Sequence, residues 1–239
     1  MRVLYKNSIT LTLDEIEING HRHIRYHGAE IAPEETANRS QQLLETLSSR
    51  RSIREFSDRP VPKSVIESLI MTGSTAPSGA NKQPWTFCAV SNADMKHKIK
   101  EAAEAEERES YGGRMSDTWI HDLKPFGTNA HKPFLKIAPW LIIVFKRAYE
   151  FGPDDEKQNN YYVGESVGIA CGMLISAIHQ AGLVTLTHTP SPMNFLAKIL
   201  ERPKNERAFL LLPVGYPADK VYVPDIKKKA PSEVIEWFE

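Results

Sequence analysis

Tyr161-Tyr-Val-Gly-Glu-Ser-Val-Gly-Ile-Ala-Cys-Gly-Met-Leu-Ile-Ser-Ala-Ile-His-Gln180 reads as one helix with two unlike faces. Val163, Val167, Cys171, Leu174 and Ile178 recur at helical spacing and form an apolar stripe. Gly164, Gly168 and Gly172 recur every fourth residue and form a ridge bare of side chains. Each glycine costs about 1 kcal/mol of helix propensity relative to alanine. Another backbone packed closely on the ridge is expected to offset that cost.

The segments on either side of this helix predict a mixed architecture. Trp85–Val90, Ala138–Phe145, Leu183–Thr187 and Phe209–Val214 read as strands. Ala138–Phe145 is nearly continuous in apolar residues, as expected of a sheet covered on both faces. A helix is predicted from Pro33, with proline near its first turn followed by Glu34 and Glu35, to about Ser48, burying Leu43, Leu44 and Leu47. A second follows Pro62, with Val65, Ile66, Leu69 and Ile70 on one face and Gly73 as its stop. Asp94–Ser110 reads as a polar helix, and 112–137, without clear periodicity, as a mobile segment. Thr10–Leu13 alternates weakly like a strand. The order fits an α+β fold in which helices sandwich a sheet. The tail from Val221 to Glu239 reads as extended and suited to wrapping a partner subunit.

Composition narrows the classes. Neither a linker nor an internal repeat divides the 239 residues, so one domain over 1–239 is expected, with 1–33 as an N-terminal extension. Lys+Arg and Asp+Glu are both 30, which argues against a general nucleic-acid binder. The longest apolar run, Val167–Ile178, has 12 residues, too short to cross a bilayer, and the N-terminus has no signal-peptide core. A cytoplasmic protein without membrane contact is expected. Cys88 and Cys171 lie in apolar stretches without metal-like spacing and read as small buried residues. His21-x-His23 is too sparse for a metal site.

Two stretches carry binding chemistry. Arg50-Arg51-Ser52-Ile53-Arg54 packs three guanidinium groups and a hydroxyl into five residues, chemistry suited to gripping a phosphate. Thr75-Ala-Pro-Ser-Gly-Ala-Asn-Lys-Gln-Pro-Trp85 offers Ser78, Gly79 and Ala80, where backbone can approach a flat ligand. A basic run, Lys227-Lys228-Lys229, adds distal charge. A solvated basic turn is the plain alternative, but the three together favour a phosphorylated planar cofactor. No G-x-G-x-x-G follows a strand, so a Rossmann dinucleotide site is not expected.

At these residues the chain resembles the nitroreductase superfamily of flavin mononucleotide (FMN) enzymes. The resemblance implies that Arg50, Arg51, Ser52 and Arg54 bind the FMN phosphate and ribityl chain, with Ser78 and Gly79 also at the cofactor. Lys228 stands where the family has arginine. The glycine-ridged helix would be the core of an intertwined homodimer.

Glu107, Tyr111 and Lys132 make a second constellation. Glu107 and Tyr111, four apart, share a face if their helix continues. Within Glu101, Glu104, Glu106, Glu107 and Glu109, however, a solvated acidic face is the ordinary reading. Glu-x-x-x-Tyr followed 21 residues later by Lys resembles the lid of iodotyrosine deiodinases, the halotyrosine-reducing branch of the superfamily. Further matches are Lys96-His-Lys-Ile99, Ile169-Ala-Cys-Gly172, Ala181-Gly-Leu-Val-Thr185, Leu212-Pro-Val-Gly-Tyr-Pro217 and Val223-Pro-Asp225; the likeness covers roughly residues 35 to 230. It implies that Glu107 meets the ammonium of an amino-acid zwitterion such as 3-iodo-L-tyrosine. Lys132 and Tyr111 would meet its carboxylate, and the Ala80 N–H its phenolate. It also places Thr187, His188 and Thr189 beside the flavin, with the Thr189 hydroxyl near N5 in support of one-electron steps. His188 itself reads as a satisfied loop histidine. NAD(P)H or a flavodoxin-like reductase would supply electrons. A broad nitroreductase or quinone reductase, a flavin-fragmenting enzyme and a non-catalytic flavin or halotyrosine sensor stay open alternatives.

Overall fold

The computed structural model describes residues 15–239, so the expected strand at Thr10–Leu13 lies outside the described residues. The elements in chain order are β1 (Glu15–Ile18), β2 (His21–Ile24), α1 (Pro33–Ser48), α2 (Lys63–Ser74), β3 (Trp85–Val90), α3 (Ala93–Glu109), α4 (Asp117–Leu123) and α5 (Phe134–Ile137). β4 (Trp140–Arg147), β5 (Tyr149–Phe151), β6 (Lys157–Asn159), α6 (Val163–Gln180), β7 (Val184–Thr185), α7 (Asn194–Ile199) and β8 (Glu206–Gly215) follow. Two compact units divide the chain at Glu45/Thr46.

In the first unit β1 and β2 pair as an antiparallel hairpin, and α1 opens with Glu34 and Glu35 in its first turn. Glu35 pairs with Arg39 one turn on. The expected burial of Leu43 and Leu44 does not occur: they are 52% and 60% exposed, and Leu47 is only half-buried. Helical periodicity marks an apolar face correctly, but it says nothing of what covers that face.

The second unit is built on one antiparallel sheet in the order β3-β4-β8-β7. Strand alternation sorts β4 between two cores. Ile142 and Val144 pack with Leu210 and Leu212 of β8 against Ile66 and Leu69 of α2 and Val167, Cys171, Leu174 and Ile178 of α6. Leu141, Ile143 and Phe145 point oppositely, against Ile99 of α3, Leu135 of α5 and Leu196 of α7. The apolar run is continuous because helices cover both faces, although every pairing in this sheet is antiparallel.

Gly73 is not the stop of α2, which runs on to Ser74. A β-carbon there would stand 3.0 Å from Leu174 Cβ and 3.1 Å from the Ala170 carbonyl, so the glycine lets α2 close on α6. Along the glycine ridge of α6, β-carbons at Gly164, Gly168 and Gly172 would meet nothing within 4 Å among the described residues. Residues 112–137 are not structureless. They hold α4, capped by the Ser116 hydroxyl on the Trp119 N–H, and α5. Cys171 is buried, whereas Cys88 is half-buried. Among the described residues no helix is long and apolar enough to cross a membrane.

Candidate active site

The arginine segment is fixed by the edge of the sheet. After α1 the chain runs parallel to β7, with Ser52 bridging Thr185 and the Ile53 N–H donating to the Thr185 carbonyl at 3.1 Å. Ile53 turns into the core, so its neighbours Ser52 and Arg54 turn outward. Arg50, Arg51, Ser52 and Arg54 line a cavity of about 190 Å³ together with Lys228. Lys228 reaches it because the Arg51 guanidinium donates to the Pro224 carbonyl and ties the tail across the cluster. Among the described residues neither Arg50 nor Arg54 has an acidic partner, and burial lowers the Arg54 pKa. Cations held together without counter-charge suit a phosphate dianion, so the residues present fit the phosphate end of FMN.

Two further cavities continue from this one. The first, about 350 Å³, shares Arg50 and Ser52 and adds Gly172, Ser176 and Thr187. The second, about 200 Å³, holds Glu107, Tyr111 and Lys132 with Thr187, His188 and Thr189, and shares Arg54 with the phosphate-sized cavity. Thr187 lines both, and so stands at their junction; Thr189 lines the triad's cavity.

Not all the predicted residues meet within one chain. Ser78 and Gly79 sit at the start of α6, where a β-carbon on Gly79 would fall 2.9 Å from Tyr161 Cβ. The arginines sit against its last turns, at Ile175 and His179. From Tyr162 to His179 the helix rises roughly 26 Å. Ser78, Gly79 and Ala80 are therefore remote from the arginine cavity of their own chain. The Ala80 N–H is nevertheless prepared for an acceptor. Gly79–Asn81 is a 3-10 turn whose first bond comes from Asn81 N–H to the Ser78 carbonyl, and Pro77 precedes it.

The acidic run on α3 is not uniformly solvated. Asn92 caps the helix, and Ala103, Glu104, Glu107 and Ser110 form one buried face while Glu101 and Glu109 are exposed. α3 then gives way to a π-helical turn, Ser110–Arg114, that swings Tyr111 into the cavity. Lys132 Nζ lies 3.5 Å from Glu107 Oε2, donates to Thr128 Oγ1 at 3.0 Å, and stands 5.7 Å from the Tyr111 ring centre. Burial raises the Glu107 pKa against the pull of Lys132, and lowers that of Lys132 against the pull of Glu107. Burial raises the Tyr111 phenol as well. A buried acid and base with a half-buried phenol converging on one cavity suit a ligand carrying both an ammonium and a carboxylate.

His188 is not the satisfied histidine expected. It is buried edge-on against Phe134, and its Nε2 has no partner among the described residues. Burial first, then the Lys132 and Arg54 charges, push its pKa down to about 3, so it stays neutral and cannot donate as an imidazolium. Its Nδ1 stands 3.9 Å from Glu107 Oε1. Sequence reading missed Thr128, Phe134 and the apolar wall of Trp119 and Leu123. The i,i+4 spacing of Trp119 and Leu123 was the one signal available.

The chain is similar to known proteins over most of its length. The Nitroreductase family model matches residues 47–216. An iodotyrosine deiodinase of Haliscomenobacter hydrossis is 60% identical over 212 residues, 89% of this chain and 96% of that protein. One from Danio rerio is 44% identical over 216 residues, 89% and 72% of the two chains. A crystal structure of oxidized iodotyrosine deiodinase bound to FMN and 3-iodo-L-tyrosine superposes with a TM-score of 0.70 at 27% identity, covering 82% of this chain and 99% of that one. A BluB-like flavoprotein from Clostridium difficile 630 shares the fold, at a TM-score of 0.63 and 21% identity over 82% and 99% of the chains.

Proposed function

The chain belongs to the nitroreductase family, and on that footing we propose that it is an FMN-dependent oxidoreductase that removes iodide reductively from iodotyrosine. The reaction breaks the aryl C–I bond, forms a C–H bond, consumes two electrons and a proton, and releases tyrosine and iodide. FMN, when bound, supplies the electrons. The observation that carries the reading is the cavity holding Glu107, Tyr111 and Lys132 in contact, through Thr187 and Arg54, with the arginine-lined cavities.

Arg50, Arg51, Ser52, Arg54 and Lys228 would hold the phosphate. Lysine at 228 contributes charge without a bidentate fork. Glu107 would take the substrate ammonium, and Lys132 with the Tyr111 hydroxyl its carboxylate. The zwitterion would replace the internal Glu107–Lys132 contact with two such contacts and displace water from the cavity. Thr187 would be the better placed of the two threonines for the flavin, since it lines both the cofactor-side and the substrate-side cavities; Thr189 would face the substrate side.

A homodimer would complete the site. Two α6 ridges packed antiparallel about a two-fold axis would bring Ser78, Gly79 and Ala80 of one copy to the Thr187 end of the other. The Ala80 N–H would then be free to bind the phenolate oxygen. The bare ridge and the exposed Ile169 support this arrangement. NAD(P)H or a reductase is the proposed electron source, and the cytoplasm the proposed compartment.

Titration with 3-iodotyrosine, read by quenching of bound-flavin fluorescence, tests the reading. Glu107→Gln and Lys132→Gln should keep FMN and weaken binding roughly 10- to 100-fold, the worth of a buried charged hydrogen bond. Wild-type affinity in both variants would remove the triad from the substrate site. Thr187→Ala should alter the redox titration of bound flavin more than Thr189→Ala; the reverse order would return the flavin contact to Thr189.

A further inference from the structure

Three residues before Glu107, on the same buried face of α3, stands a second acid that the substrate site does not use. Glu104 is 6% exposed, and its oxygens are fully engaged. Oε1 accepts the main-chain N–H of Lys132 at 2.6 Å and lies 2.9 Å from His131 Nδ1, while Oε2 accepts from Lys100 Nζ at 2.8 Å. The Lys132 carbonyl is held from the other side, accepting the Leu135 N–H at 3.1 Å as α5 begins. Asn129 Oδ1 accepts the His131 N–H at 2.8 Å, so the loop before Lys132 is also braced from within.

We infer that Glu104 is a positioning residue for the substrate clasp, fixing the main chain of Lys132 so that its ammonium falls between Glu107 and the bound amino acid. This rests on the reading of Glu107, Tyr111 and Lys132 as that clasp. Lysine is a poor rigid ligand: a flexible four-carbon stem separates its charge from the chain, and the rotamer entropy of that stem opposes one fixed placement. Anchoring the main chain removes one source of wander. α3 supplies the anchor and the charge partner together, since residues three apart on a helix are neighbours on one face. The separation between the point that grips the Lys132 backbone and the point that meets its head group is thereby set by helix geometry. A carboxylate holding a main-chain N–H makes a stronger and shorter bond than a neutral acceptor. The pair of acids thus divides one task, and a displacement of about 1 Å in such a group is costly to binding geometry.

The test uses FMN-loaded protein and four variants: Glu104→Ala, Glu104→Gln, Lys132→Gln and the double Glu104→Ala/Lys132→Gln. Glu104→Ala should weaken 3-iodotyrosine binding roughly 10-fold and raise KM in proportion, with kcat at saturation and flavin content little changed. Glu104→Gln, whose amide oxygen still accepts the Lys132 N–H, should recover most of the affinity. In the Lys132→Gln background the Glu104→Ala change should cost nothing further, because the group it positions is gone. A merely structural role would instead be additive with Lys132→Gln. Additivity, or wild-type affinity in Glu104→Ala while Lys132→Gln is weakened, overturns this inference alone. Wild-type affinity in Lys132→Gln overturns the clasp itself and the inference with it. Should Glu104→Ala not fold, Glu104→Asp, one methylene shorter, carries the same comparison.

Discussion

The Glu107–Lys132 contact sets binding against stability, and Lys132→Gln measures the balance. The pair is 3.5 Å apart with side chains 9% and 5% exposed. At an effective dielectric of about 20 the attraction is roughly 332/(20 × 3.5), or about 5 kcal/mol. Burial nevertheless dominates both partners, since Glu107 remains raised and Lys132 lowered. Removing the lysine charge should leave a buried carboxylate alone, a loss of about 3 kcal/mol for a well-buried pair and about 2 kcal/mol for one lining an open cavity. For a chain of this length that lowers Tm by roughly 4–8 °C. The sign with pH follows from the raised Glu107 value. A carboxyl that holds its proton more tightly when folded contributes stability below its unfolded value and loses it as pH rises through the folded value. Without Lys132 that folded value climbs further, so the deficit should be large near about pH 8 and less than half as large near about pH 5. Glu107→Gln/Lys132→Gln, with both charges of the pair removed, should melt at or above wild type at the higher pH. Circular-dichroism melts of FMN-loaded protein at both pH values measure all three. An equal deficit at both, or a double variant no more stable than Lys132→Gln, would refute the reasoning.

Other outcomes follow from packing and burial. Gly215→Ala would put a β-carbon 2.5 Å from Pro139 Cδ, on a ring held to the main chain at both ends. A loss of about 2 kcal/mol or more is expected, and an unchanged Tm would show that β8 can shift. Cys171 is 4% exposed, and burial pushes its thiol pKa up to about 12. Iodoacetamide should label it only after denaturation; a labelled Cys171 peptide from protein alkylated in the native state would contradict that.

What the sequence determined by itself was local. Spacing along the chain located α6 and its two faces, the β4 run and the helix from Pro33, because periodicity is a property of consecutive residues. The concentration of positive charge at Arg50–Arg54 was likewise legible from composition alone. Pairings that arise only when distant segments close on one another were not legible. Nothing in a run of five glutamates distinguishes Glu104 and Glu107, buried against Lys132, from Glu101 and Glu109 in water. Gly73 looked like a helix stop until the Ala170 carbonyl stood 3.1 Å from where its side chain would be. His188 read as an ordinary loop histidine, yet burial and two cations from other segments make it neutral. The separation of Ser78–Ala80 from the arginines, a whole helix length apart in one chain, likewise required the path of α6. Side chains meet through desolvation and close contact across the fold, and those depend on where the chain returns rather than on what stands beside a residue.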